Sequence, residues 1–163
     1  MKLSKNLSLK EATKSDVAIS NGIDNTPTPE EVEILKLTAS KVFQPIRDHF
    51  GVKIKVTSMF RSASLNKKLR GSKTSSHMSC QAIDIDADAF KETYTNTNGE
   101  EVLLTNSLIF AYAVNNLEFD TVIWEFGDDN EPDWVHISYR EGNNRTRVLR
   151  ARRGKSGVYY EAL

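Results

Sequence analysis

Cysteine is nearly absent from the sequence: Cys80 stands alone among 163 residues, so no internal disulfide can form. A chain of this kind reads as one kept in a reducing compartment. Long apolar runs are missing as well, and nothing approaches the roughly 20 residues a membrane helix needs. The basic start Met1-Lys2-Leu3-Ser4-Lys5 gives way to Lys10, Glu11, Lys14 and Asp16 rather than to an apolar stretch. No signal peptide and a cytoplasmic location are therefore expected. An excess of one charge is also lacking, since 22 Lys and Arg balance 22 Asp and Glu. No overall field draws the chain to nucleic acid or to a membrane surface, and any binding must come from a local site. Only the segment from Arg140 onward departs from this balance. Its seven basic residues face Glu141 and Glu161, which reads as a solvated basic strand and tail.

What is present suits one globular domain spanning residues 1–163, with 39% hydrophobic residues to fill its core, and a monomer is expected. Ser8-Leu9-Lys10-Glu11 is a capping-box pattern that predicts a short helix through about Ile19, stopped at Asn21-Gly22. Thr28-Pro29-Glu30-Glu31 starts a longer one. Leu35, Ala39, Val42, Phe43, Ile46 and Phe50 form its buried stripe, Pro45 should kink it, and Gly51 marks its end. Val52–Ser58 and Ala82–Ala87 alternate apolar and polar residues as half-buried strands do. In the second, Ile83 and Ile85 would enter the core while Asp84 and Asp86 emerge on the other face. Residues 104–117 suit a helix; 121–124, 134–138 and 146–152 suit strands. Thr93–Gly99 and Gly127–Pro132 read as surface loops.

Only three histidines occur. His49 lies on the polar side of the long helix beside Asp48 and suits a solvated or capping role. His77 stands in the small-residue loop Lys73-Thr74-Ser75-Ser76-His77-Met78-Ser79, just before the strand that carries Asp84. His136 lies in Trp134-Val135-His136-Ile137-Ser138, where Val135 and Ile137 can point inward and His136 outward. Catalytic zinc usually takes three nitrogen or oxygen ligands and keeps one position open. His77, Asp84 and His136 supply such a set.

Ser75-Ser76-His77-Met78-Ser79-Cys80-Gln81-Ala82-Ile83-Asp84 resembles the Ser-x-His-x-x-Gly-x-Ala-x-Asp signature of the D-alanyl-D-alanine carboxypeptidase and L-alanyl-D-glutamate endopeptidase family. That family shares its fold with the hedgehog signalling domain. Thr57-Ser58-Met59-Phe60-Arg61-Ser62 is similar to its Ser-Gly-Tyr-Arg-Ser stretch, and Asp133-Trp134-Val135-His136 to its acid-x-x-His motif. The resemblance covers about residues 5 to 140. It implies an α+β fold in which a small antiparallel sheet carries a zinc site on its open face, with helices behind. It also implies His77, Asp84 and His136 as zinc ligands and Asp133 as general base. Arg61 would be the cation that steadies the substrate carbonyl, with Ser75 and Trp134 beside the substrate.

Elementary chemistry supports these roles. Zinc activates water and polarises a carbonyl, a carboxylate such as Asp133 can take and return a proton, and Arg61 keeps its charge at any working pH. Asp86 could orient a ligand from behind. Glu125 is a rival base, and Trp124 and Trp134 suit core or pocket wall. One departure stands out: Cys80 occupies the signature's glycine, which costs energy if that position needs a positive φ. A ligand role for Cys80 is disfavoured by the intervening turn. Met59 likewise replaces the glycine of the Ser-Gly-Tyr-Arg-Ser stretch. The expected function is zinc-assisted hydrolysis of a peptide bond in peptidoglycan stem peptides, acting on the wall after release if this is a phage lysis enzyme. The alternatives are a metal-containing binding module or a phage structural module of the same fold.

Overall fold

Capping chemistry starts the helices where the sequence places them. The computed structural model describes all residues, Met1–Leu163. A two-stranded ribbon, β1 (Lys2–Ser4) and β2 (Leu7–Ser8), leads into α1 (Leu9–Thr13), whose Ser8–Glu11 capping box is complete. The single helix expected here is in fact two. Lys14 is extended at ψ 130°, and the Ser15 side chain accepts from the Ala18 N–H to begin α2 (Asp16–Ser20). A serine that can cap a new helix competes with continuation of the old one.

The long helix forms with the expected stripe, since Leu35, Ala39, Val42, Phe43, Ile46 and Phe50 are all buried. It runs as α3 (Pro29–Thr38), a π-helical turn at Ala39–Phe43 and α4 (Gln44–Phe50), closed by Gly51 at φ +70°. Pro45 has no N–H to give to the preceding turn, and the wider turn just before it absorbs the misfit.

The principal sheet has six strands in the order β10-β9-β7-β8-β4-β3. They are β3 (Lys55–Ser58), β4 (Ala82–Asp86), β7 (Thr121–Glu125), β8 (Trp134–Ser138), β9 (Arg147–Gly154) and β10 (Gly157–Ala162). The sheet is mixed rather than wholly antiparallel, because β7 and β9 pair in parallel. The chain runs from β7 to β8 on one side and then returns past β7 to add β9 on the other, a pairing that no local pattern announces. The short α5 (Ala63–Lys68) follows β3, and a hairpin of β5 (Thr93–Thr95) and β6 (Glu101–Leu103) takes the first three residues of the loop expected at 93–99, leaving the turn to residues 96–100. The helix α6 (Asn106–Asn116) starts at the Thr105 cap. Mixed helices and sheets of this kind agree with the α+β class.

One face of the sheet builds the core. Ile83 and Ile85 of β4, Val122 of β7, and Val135 and Ile137 of β8 join Leu35, Val42 and Ile46 of the long helix and Ile109 and Ala113 of α6 in one buried cluster. The opposite face carries two rows set by register. In the first, Leu149, Ile123, His136, Asp84 and Ser58 lie side by side across β9, β7, β8, β4 and β3. In the second, Tyr160, Ala151, Glu125 and Trp134 do the same across β10, β9, β7 and β8.

Asn106 pins this arrangement from below. Its side-chain oxygen accepts from Ala87 N–H at 2.7 Å, and its amide donates to Asp86 Oδ1 at 3.1 Å and to the carbonyls of Pro132 at 3.3 Å and Asp133 at 3.1 Å. It therefore ties the end of β4 and the entry to β8 to the first turn of α6. Replacing Asn106 by Ala strands buried polar groups that each cost about 1–3 kcal/mol. Urea unfolding of Asn106→Ala is expected to show a loss of about 2–3 kcal/mol through a lower midpoint at unchanged slope; an unchanged midpoint would contradict this role.

Candidate metal centre

Antiparallel pairing of β4 with β8 sets Asp84 directly opposite His136. His136 Nδ1 lies 2.9 Å from Asp84 Oδ1. His77 reaches the same carboxylate from the loop before β4, with Nε2 3.2 Å from Asp84 Oδ2. That loop is held by backbone bonds: Arg61 N–H donates to the His77 carbonyl at 3.2 Å, and Gln81 N–H to that of Ser76 at 2.9 Å. His77 Nδ1 donates to the Met59 carbonyl at 2.8 Å. A carbonyl can only accept, so Nδ1 carries a proton and Nε2 is the ring nitrogen turned toward Asp84.

His77, Asp84 and His136 can each offer one ligand atom, and these atoms all lie within 4.8 Å of one another. Nitrogen and oxygen ligands on a common zinc sit about 3–3.5 Å apart, given bonds near 2 Å. The gap is small, the donors are of the right chemistry, and the group could hold a metal ion. Burial alone would push the Asp84 carboxyl up, but the charge of His77 and the hydrogen bonds to His136 and His77 hold it well below the usual carboxylate range. Arg61 adds to the balance: its Nη2 is 3.4 Å from Asp84 Oδ2, while its Nε donates to Ser58 Oγ at 3.0 Å.

The other candidates fall into place around this group. Cys80 has φ +62° and is fully buried. The glycine-like conformation is kept and the cysteine side chain tolerated, with burial pushing the thiol up to about 12. It is a packed neutral thiol in the core cluster. Ser75 Oγ accepts from the His77 N–H at 3.3 Å and so steadies the loop. Trp134 is half-buried in the row next to His136 and packs edge-on against Phe126 at 5.4 Å. Asp86 bonds Asn106 and the Asp88 N–H rather than any of the three donors. His49 is exposed and stacks on Tyr112 at 4.2 Å. Trp124 packs against Phe110 and donates to the Asp128 carbonyl.

The two carboxylates considered for proton transfer differ in setting. Asp133 is exposed, its backbone N–H donating to the Glu125 carbonyl, and it lines a groove with Phe126 and Arg153. Glu125 is buried on the sheet face that carries His136 and Asp84. Burial pushes its carboxyl up to about 7, with His136 and Arg61 pulling down and Asp84 pushing up. Alternation in β7 signalled Glu125, two residues on from Ile123 on the His136 face, whereas Asp133 precedes β8 and lines the groove with Ala151 and Arg153. Tyr160 and Arg153 had no such signal. Tyr160 shares the Glu125 row, and its phenol is pushed up by burial and then by the charges of Glu125 and Asp84.

A raised folded pKa stabilises the fold below the ordinary carboxyl value of 4.5, and that contribution disappears as pH rises through about 7. Metal-free wild type should therefore lose up to ~3 kcal/mol between pH 4.5 and 7.5 relative to Glu125→Gln. Urea titrations of both proteins across that range test this; a pH-independent difference would contradict it.

The family model described as Peptidase M15 matches residues 5–108, well over half of the chain. Arg61, His77 and Asp84 lie inside the match; Glu125, Asp133 and His136 lie beyond it. No curated protein matches the chain at a significant level. A family match over this length, together with the His-Asp-His group, places the chain in the Peptidase M15 family.

Proposed function

We propose that the chain is a zinc-dependent peptidase that hydrolyses a peptide bond in peptidoglycan stem peptides, of the D-Ala-D-Ala carboxypeptidase or L-Ala-D-Glu endopeptidase type. The observation that carries this reading is the convergence of His77, Asp84 and His136 within 4.8 Å in a chain of this peptidase family. A divalent ion held there supplies Lewis acidity to the scissile carbonyl and acidity to the attacking water.

The chain's own residues do the rest. His77, fixed through Met59, and Asp84 and His136, fixed by strand pairing, present their donors with only a small inward shift required. Arg61 is anchored by Ser58, and its permanent charge offsets the negative charge that grows on the carbonyl oxygen. Glu125 takes the proton of the attacking water and passes it to the leaving amine; a carboxyl raised to about 7 is matched to that task. Asp133, exposed beside the neighbouring groove, lacks those surroundings. Trp134 and Ser75 shape the wall and the loop beside the reacting bond.

Mass spectrometry of stem-peptide digests by the zinc-loaded protein tests the reading. Glu125→Gln is expected to lower kcat by at least about 100-fold, the lower range for a lost general base, and Asp133→Asn to leave it within a few-fold. The reverse pattern would move the proton transfer to Asp133. Zinc binding by wild type without any hydrolysis would mark a binding module instead.

A further inference from the structure

The sheet face that carries the metal centre continues past Glu125 towards the ends of β9 and β10. In β9, Ala151 pairs with Glu125, and Arg153 lies two residues further along on the same face, opposite Val158 of β10. Phe126, the residue just after β7, has φ +54°. That left-handed turn brings its ring against Trp134 at 5.4 Å, although regular alternation would send it to the core side. The Arg153 guanidinium sits over the same ring, 4.0 Å from its centre. Trp134, Phe126 and Arg153 thus form a continuous wall that starts beside His136 and ends in a cation.

The charge at the end of this wall has no carboxylate paired with it, although it is near enough to pull the Glu125 carboxyl down. Arg150 pairs with Asp129 at 2.6 Å and Arg152 with Glu161 at 2.6 Å, whereas Arg153 forms no ion pair. It is exposed over a groove of about 520 Å³ lined also by Phe126, Ala151, Tyr159 and Asp133. Stacking on an aromatic face limits the rotamers of a long side chain and leaves the N–H edge of the guanidinium free for a planar anion. A carboxylate is the group that matches that edge.

We propose that Arg153, held over the Phe126 ring, is a carboxylate-recognition subsite, so that the enzyme cuts its peptide at a bond about three residues from a free carboxylate. This inference rests on the peptidase reading of the metal centre and names the part of the substrate that the wall receives. Arg153 lies two rows along the strands and two strands across from His136. Those steps amount to roughly 17 Å between backbones, which the arginine side chain shortens to about 10 Å or slightly more. An extended peptide spans that with about three residues. A carboxylate directly beside the scissile bond, as in removal of a terminal residue, does not reach Arg153, so the geometry points to cleavage within the stem.

The test uses the synthetic stem pentapeptide L-Ala-γ-D-Glu-L-Lys-D-Ala-D-Ala as the C-terminal acid and as the C-terminal amide. With zinc-loaded wild type, kcat/KM is expected to favour the acid by about 10-fold or more. Arg153→Ala should remove that preference, chiefly through KM on the acid, with a smaller change on the amide, and Arg153→Lys should restore part of it. Equal losses on both peptides, an unchanged preference, or cleavage only at the D-Ala-D-Ala bond would overturn the proposal. Calorimetry of both peptides with Glu125→Gln and with the Glu125→Gln, Arg153→Ala double variant judges the subsite apart from catalysis. Tighter binding of the acid that depends on Arg153 supports it even without hydrolysis, and equal or absent binding of the two peptides overturns it.

Discussion

A single buried carboxylate governs this structure. Asp84 is 6% exposed and still bears charge, which an interior tolerates only when opposite charge and hydrogen bonds surround it. His136 meets one oxygen, and His77 and Arg61 meet the other. Each partner comes from a different stretch of chain, so the fold must hold the end of β3, the loop before β4, and β8 in fixed relation. The β4–β8 pairing, the Met59–His77 bond and the Arg61–His77 backbone bond do this with main-chain atoms. Every functional assignment follows from that convergence.

Cys80 shows how the backbone, rather than the side chain, defines the family loop. The position adopts φ +62° although it carries a β-carbon, a conformation that costs an ordinary residue about 1–2 kcal/mol. The surrounding core repays it. The thiol is fully buried, and the Cys80 carbonyl accepts from the Thr38 hydroxyl of the long helix at 2.8 Å. The turn keeps its shape, and His77 keeps its place.

Much of this was legible in the sequence because the signals are local. Alternation in 82–86 and 134–138 placed Asp84 and His136 on one face, and the caps at Ser8 and Thr28 began helices where expected. What escaped notice depends on long-range pairing or on backbone turns without a sequence mark. The parallel β7–β9 pair brings Arg153 and Tyr160 alongside Glu125 from about 30 residues away. The left-handed Phe126 swings its ring across the sheet edge against the alternation that a reader would apply. The break at Lys14 turned on a serine able to cap as well as to continue.

The claim on which all else rests is that His77, Asp84 and His136 share one divalent ion. Calorimetric titration of the metal-free chain with zinc at pH 7, beside Asp84→Asn, tests it most directly. Wild type is expected to bind one ion per chain, and the variant, in which a charged donor becomes a neutral amide, to lose at least about 100-fold in affinity. Equal zinc binding by both proteins, or none by wild type, would contradict it.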